Sequence, residues 1–296
     1  MAPLKNMECG ARSLFMLKNN KIFVYQIYYD QASKKLLDPG YIPLDNTLNE
    51  RPDWFEFWVI RNFLNNQQLD ENAWYGFLSP KFRAKTGLTS QQVISFVNTY
   101  ASQCEVALFS PCWDQISYFQ NPFEQGEMWH PGLSDLSQLF LDAIGIKLDI
   151  RSLVTDSSTT SWGNYIVAKP VFWRAWLDIA NKFFEMVEKK ESAISDRSAN
   201  LTSYSSKLDL APMKAFLQER FATVILAKNN FRTAAWDQSS YSYSPIFTRL
   251  FHDDFRTRRL LQACNLLKQQ YNRSQDKDYL LVYQKLRKQI AIKPIC

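Results

Sequence analysis

Glycine is scarce. The 296 residues hold eight, where an average usage near 7% gives roughly twenty, and no two stand as G-x-G. That removes the dinucleotide fingerprint and the glycine-rich kinase loop, and the absence of G-x-x-x-x-G-K-[ST] removes a P-loop. With only two histidines, His130 and His252, neither an H-E-x-x-H zinc site nor a three-histidine metal site can be built. No G-x-S-x-G marks a serine hydrolase. The five cysteines, Cys9, Cys104, Cys112, Cys264 and Cys296, are odd in number and form no C-x-x-C, so neither a disulfide framework nor a zinc ribbon is expected, and a reducing compartment is. The longest apolar runs, 22–29 and 222–227, fall well short of the roughly 18 residues of a spanning helix. The N-terminal stretch 14–17 is too short for a signal-peptide core. A cytoplasmic protein is expected.

What is present describes a globular chain. Hydrophobic residues make up 46% and charged residues 22%, too apolar and too evenly charged for disorder. The net charge of +6 is unevenly placed. Residues 249–296 carry eleven Lys or Arg against four Asp, so the basic excess sits in the C-terminal tail. Within it, 256–288 reads as one or two helices with leucines among the charges. Such a segment suits either a packed hairpin with a solvated basic face or peripheral contact with an anionic membrane.

The pattern of elements predicts an α/β fold. Lys21–Tyr29 (KIFVYQIYY) reads as the first strand, and Asp38-Pro39-Gly40 supplies a turn. Asp53–Leu64 reads as a helix with a wide aromatic face and Asp53 as its cap. Ala73–Ser79 and Glu105–Ser110 are apolar runs ended by proline, the mark of buried strands, with a helix over Thr89–Tyr100 between them. This βαβ order argues for a largely parallel sheet. A helix over Ser134–Ile144, a strand over Asn164–Ala168 and a helix over Pro170–Lys190 with proline in its first turn follow. The Ser, Thr and Asn-rich stretch 191–210 reads as a flexible loop able to act as a lid. Pro212–Ala227 is a further helix.

In open α/β sheets ligands bind beyond the carboxyl ends of the strands, which makes the residues after each strand the first candidates. Ser79, Lys81 and Arg83 place a hydroxyl and two cations after the second apolar strand, suited to a phosphate. After the third come Asp114 and Gln115, then the segment 121–132 (NPFEQGEMWHPG), read as a loop, with Glu127, Trp129 and His130. Carboxylates, an imidazole and aromatic plates together suit sugar chemistry. Asn164 and the pair Glu219-Arg220 are weaker candidates, the pair equally suited to a structural ion pair. Cys112 with His130 could form a thiol pair, although a buried cysteine is commonly only a small hydrophobe. The aromatic residues fall at core spacing, apart from the basic ones, so no stacking platform for nucleic acid is visible.

The segments 74–81 (WYGFLSPK), 123–133 (FEQGEMWHPGL), 164–173 (NYIVAKPVFW) and 216–226 (FLQERFATVIL) resemble parts of glycosyltransferase-like proteins of bacterial surface-polysaccharide biosynthesis. The order of elements over residues 20–230 resembles GT-A-type glycosyltransferases. The resemblance implies a GT-A-like, Rossmann-like domain over 1–230, with a mixed, mostly parallel sheet flanked by helices, and a basic helical extension over 231–296. It implies a nucleotide-sugar donor whose diphosphate meets Lys81 and Arg83, with Ser79, Gln115, Trp129, Asn164, Glu219 and Arg220 as further binding residues. Asp114, Glu127 and His130 would then be the candidates for catalysis. Asp114 takes the place of the family's metal-binding D-x-D, yet the chain reads Trp113-Asp114-Gln115-Ile116, without the second carboxylate. A Mn or Mg ion is therefore an open expectation. The one literal D-x-D, Asp276-Lys277-Asp278, reads as a solvated turn.

The function implied is transfer of a sugar from a nucleotide donor to a polysaccharide or lipid-linked glycan acceptor at the inner face of the membrane. The alternative is a non-catalytic module that binds glycans or anions on the same α/β fold.

Overall fold

A computed structural model describes residues 20–293 except 191, 207–208 and 241–249; Cys9 and Cys296 lie outside them. The elements up to the middle of the chain are β1 (Ile22–Tyr28), α1 (Gln31–Lys34), β2 (Ile42–Asp45), α2 (Phe55–Asn66), β3 (Trp74–Leu78), α3 (Phe82–Thr86), α4 (Ser90–Tyr100), β4 (Val106–Leu108), α5 (Trp113–Tyr118), α6 (Pro122–Trp129) and α7 (Leu133–Ala143). There follow β5 (Ile166–Ala168), α8 (Pro170–Glu188), α9 (Ala193–Ala199), β6 (Leu201–Ser206), β7 (Asp209–Pro212), α10 (Met213–Gln218), α11 (Phe221–Lys228), β8 (Thr233–Ala235), α12 (Phe255–Ser274) and α13 (Lys277–Arg287).

Six strands form one mixed sheet in the order β2-β1-β3-β5-β4-β8. The β1–β2, β1–β3 and β4–β8 pairs are parallel, and β5 runs antiparallel to both β3 and β4. Five strands thus share a direction and β5 alone opposes them, an α/β architecture with a mostly parallel sheet. β8 lies past residue 230, so the sheet draws on both sides of the expected boundary there.

Side chains alternate across the strands, as the period of two requires. Ile27, Tyr75, Phe77, Val106, Leu108 and Ile166 face a large core built with α2, α7, α8 and α11. Val24, Trp74, Leu78, Ala107, Phe109 and Val167 face a smaller core that takes in Phe82, Val93 and Val97 of α3 and α4. A third cluster, around Trp113, Tyr118, Phe251, Leu261, Cys264 and Tyr283, fixes α12 and α13 to α5. The C-terminal helices are a packed hairpin.

Several local expectations change. The described residues of the stretch 191–210 form regular elements: Ser192 caps α9 through the Ser195 amide, and β6 and β7 pair in antiparallel register. The segment 121–132 is a helix over most of its length, because Asn121 Oδ1 accepts from the Phe123 and Glu124 amides at 2.9 Å and Pro122 occupies the first turn. Asp53 does not cap α2; its carboxylate binds Arg51 and Lys214 instead. The single helix expected over Pro212–Ala227 breaks at Glu219-Arg220 into α10 and α11. There the Arg220 guanidinium turns back onto the carbonyl of Phe216.

Candidate functional site

Because β5 is reversed, its first residues reach the edge at which β3 and β4 end. Phe109 donates to the Tyr165 carbonyl at 2.9 Å, which ties the end of β4 to the start of β5. A tight turn delivers them: Gly163 and Asn164 both have positive φ, 63° and 56°, and the Tyr165 amide bonds back to the Trp162 carbonyl. Two left-handed residues in succession are what this turn demands, and Gly-Asn meets the demand at little steric cost. The Trp176 indole donates to Asn164 Oδ1 at 3.1 Å, so the Asn164 side chain holds the turn against α8.

Beside the turn, the hydroxyl of Tyr165 lies 3.0 Å from Ser79 Oγ at the end of β3. The Lys85 ammonium, one turn into α3 from Lys81, stands 5.7 Å from the centroid of the same tyrosine ring. Its charge also acts on Cys112, in left-handed backbone at φ 62°, and on Glu219 at the α10–α11 break. The Glu219 carboxylate makes no hydrogen bond or ion pair with the described residues. Burial raises its pKa, Lys85 and Arg220 pull it back down, and Glu56 at the start of α2 pushes it up again. The residue before Glu56 is strained: Phe55 has φ 49° and ψ −140°, a conformation that costs a non-glycine residue about 1–3 kcal/mol and recurs at functional sites. Buried polar atoms normally find partners, yet Ser161 Oγ and Trp162 Nε1, leading into β5, have none among the described residues.

Ser79, Lys85, Tyr165 and Glu219, with Glu56 behind, thus form one polar cluster at the carboxyl ends of the strands. Lys81 and Arg83 stand exposed on the same connection, and the Arg83 charge reaches Asp38. Of the expected site residues, the structure brings Ser79 and Glu219 into this cluster and leaves Lys81 and Arg83 at its edge. Lys85, Tyr165 and Glu56 were not singled out in the sequence. The signal for Lys85 was its place four residues after Lys81, and for Tyr165 its place beside Asn164.

The remaining expected residues have other partners. Arg220 is buried and holds the fold: its guanidinium donates to the Pro122 carbonyl at 2.9 Å, to Phe216, and to Gln125 Oε1 at 3.0 Å. Burial lowers its pKa to about 10. Gln125 passes this chain on to Gln115 at 3.0 Å. Glu127 accepts from the Gly132 and Ser134 amides at 2.7 and 2.9 Å, capping α7. His130 is buried against Phe216, its Nδ1 3.2 Å from Thr202 Oγ1. Burial, and then Arg220, push its pKa down to about 3, which leaves a neutral ring. Trp129 packs against the α5–α12 cluster.

Asp114 is 3% exposed in the first turn of α5. Burial raises its pKa to about 6, backbone amides of its own helix turn oppose that rise, and Asp253 and Arg258 act on it with opposite signs. Cys112 is buried, and that burial drives its thiol well above the ordinary range, the state of an inert thiol. Asp276 caps α13 through the Asp278 amide, as a turn aspartate does.

Among the described residues no three His, Cys, Asp or Glu side chains converge as metal ligands. The charged groups acting on Glu219 are two cations and one further carboxylate. Among the described residues no helix is long and apolar enough to cross a membrane. No family model, no curated protein and no solved structure matches the chain.

Proposed function

We propose that the protein is a glycosyltransferase of GT-A-like fold. It moves a sugar from a nucleotide-sugar donor to a hydroxyl of a polysaccharide or lipid-linked acceptor in bacterial surface-glycan synthesis. The observation that carries this reading is Glu219, a carboxylate without a bonded partner among the described residues. It is shifted toward neutrality by burial and lies under the charge of Lys85 at the carboxyl edge of the sheet.

A base and a fixed cation side by side are what transfer from a diphosphate requires. The bond from the sugar C1 to the diphosphate oxygen breaks, and its electron pair leaves with the phosphate. A bond forms from the acceptor oxygen to C1, and the acceptor proton passes to the Glu219 carboxylate. A carboxylate with a raised pKa is a better base near neutral pH than an ordinary one. The Lys85 ammonium offsets the charge that grows on the leaving group, with Lys81 and Arg83 exposed on the same connection to meet the outer phosphate. Fixed charge of this kind is commonly the largest contribution to such a step. The Ser79–Tyr165 hydroxyl pair supplies donors and acceptors for the ribose or the sugar.

The test is a panel of nucleoside diphosphates and nucleotide sugars, read by thermal stability and by hydrolysis of the donor with and without EDTA. A ligand at 100 times its Kd adds about 2.7 kcal/mol to stability. Stabilisation by one nucleotide family and slow donor hydrolysis that survives EDTA are expected. No stabilisation and no hydrolysis with any of them overturns the reading.

A further inference from the structure

We infer that the α12–α13 hairpin is a preformed docking surface for an anionic membrane. Its inner side is committed to the protein. Leu261, Cys264, Lys268 and Tyr283 are buried, Arg287 makes two bonds to Glu124 at 3.0 and 2.6 Å, and Asn272 donates to Asp156 at 2.7 Å. These ties leave the outer side of each helix facing solvent in a fixed orientation.

That outer side alternates cations with large apolar groups. On α12, Phe255, Arg259, Leu266 and Arg273 recur at spacings of four and seven residues and fall on one stripe. On α13, Lys277, Leu281 and Lys285 are spaced four apart on one stripe, with Val282 beside them and Lys288 just past the helix end. Phe255 is 75% exposed, Leu266 56%, Leu281 52% and Val282 50%. Arg256, Arg259, Arg273, Lys277, Lys285 and Lys288 are exposed, and none forms an ion pair with the described residues. The acids nearby are spoken for in part: Asp254 and Asp276 cap the two helices, and Asp253 pairs with Arg258.

Charge alone would suit any polyanion. The exposed Leu266, Leu281 and Val282 decide between partners, because a contact with phosphates alone makes no use of aliphatic side chains, whereas an interfacial helix buries them at the level of the lipid headgroups while its lysines and arginines meet the anionic lipids. The hairpin is already folded, so docking does not carry the ordering cost of an unstructured tail. The inference rests on the outer face of the hairpin and not on the transferase reading, to which it adds a place where lipid-linked acceptors are at hand.

The experiment is co-sedimentation of the full chain with vesicles of phosphatidylcholine, with and without phosphatidylglycerol, at low and high salt. Binding to the phosphatidylglycerol vesicles alone is expected, weakening with salt. Each of Arg259→Gln, Arg273→Gln and Lys285→Gln is expected to weaken it about five-fold, since a basic residue near the surface contributes on the order of 1 kcal/mol. The pair Leu281→Ser and Val282→Ser is expected to weaken vesicle binding while leaving retention on heparin unchanged. Circular dichroism and the thermal shift with nucleotide on the same variants report folding and donor binding separately. Absence of binding to anionic vesicles at low salt overturns the inference. So do equal binding to neutral vesicles and retention on heparin without vesicle binding, the last of which assigns the face to a soluble polyanion.

Discussion

The imidazole of His130 lies flat on the ring of Phe216, with centroids 3.6 Å apart and planes 21° from parallel. Stacked there and close to the buried Arg220, the ring stays neutral where an exposed histidine would be charged. Its folded pKa, about 3, lies below the unfolded value near 6.5. The unfolded chain therefore binds the extra proton, and His130 contributes stability above about pH 6.5 that is lost as pH falls toward 3. Proton NMR is expected to show His130 remaining neutral down to about pH 4. A midpoint for His130 near 6.5 overturns this assignment.

Asp114 works in the opposite direction. Its folded pKa, about 6, exceeds the unfolded value near 3.9, so the folded chain binds the extra proton and stability falls as pH rises between about 4 and 6. The difference corresponds to a cost on the order of 3 kcal/mol at neutral pH. Asp114→Asn is expected to raise the unfolding free energy at pH 7 by up to about that amount and to lose the advantage below pH 4. Urea denaturation at pH 4 and pH 7 reads both. Equal stability of the two proteins at pH 7 would argue that Asp114 carries a compensating bond when ionised.

Glu219→Gln separates chemistry from folding. The amide keeps the shape and removes the base, so a fall in turnover of about 10²–10⁴-fold is expected with a melting temperature no lower than that of the unaltered protein and unchanged stabilisation by nucleotide. In the unaltered protein the acidic limb of the rate profile is expected to lie above the usual carboxylate range, because burial raises the Glu219 pKa. Full turnover in the variant removes Glu219 from the mechanism.

Lys268 is buried, and its ammonium donates to the carbonyls of Ile116 and Phe119, the latter at 2.6 Å. Lys268→Met keeps the length of the side chain and strands both carbonyls. Each buried acceptor left without a partner costs about 1–3 kcal/mol, while relief of an amine whose pKa burial lowers to about 7 works the other way at neutral pH, so a loss of stability that grows as pH rises from about 7 to about 10 is expected in urea denaturation. A change below about 0.5 kcal/mol across that range, typical of a surface substitution, would mean that water replaces the ammonium.

Much of the sheet was legible because its strands are short apolar runs between prolines. Trp74–Leu78 and Val106–Leu108 are buried throughout, and Pro80 and Pro111 end the runs. β2 escaped because Ile42–Asp45 is a largely exposed edge strand without the alternation that marks a half-buried one. α6 escaped because Gly126 sits in its middle and residues 131–132 are Pro-Gly. Its start was nevertheless written in Asn121 and Pro122. Gly126 is needed there, since a Cβ would meet the Leu133 side chain at 2.4 Å and Arg220 Nη2 at 2.6 Å.

The candidate site was legible only by halves. Ser79 and Glu219 follow from position after a strand and from a charged pair in an apolar helix. Their company could not, because Lys85, Tyr165 and Glu56 come from three separated stretches that meet only once β5 reverses. Glu127 and His130 carry the right atoms for catalysis, but a carboxylate six residues before a helix and a histidine beside an aromatic ring serve equally well as a cap and a core residue. Sequence does not reveal which amides and rings are already waiting for them.

The short helix α5 has a tether at each end. Its final carbonyls are gripped by Lys268 from α12, and its first residue follows Cys112 at the rim of the polar cluster. Six residues span only about 9 Å at 1.5 Å per residue, too short a strut to bend. A shove delivered to the C-terminal helices is therefore passed to Cys112 and the four residues, 109–112, that join β4 to α5.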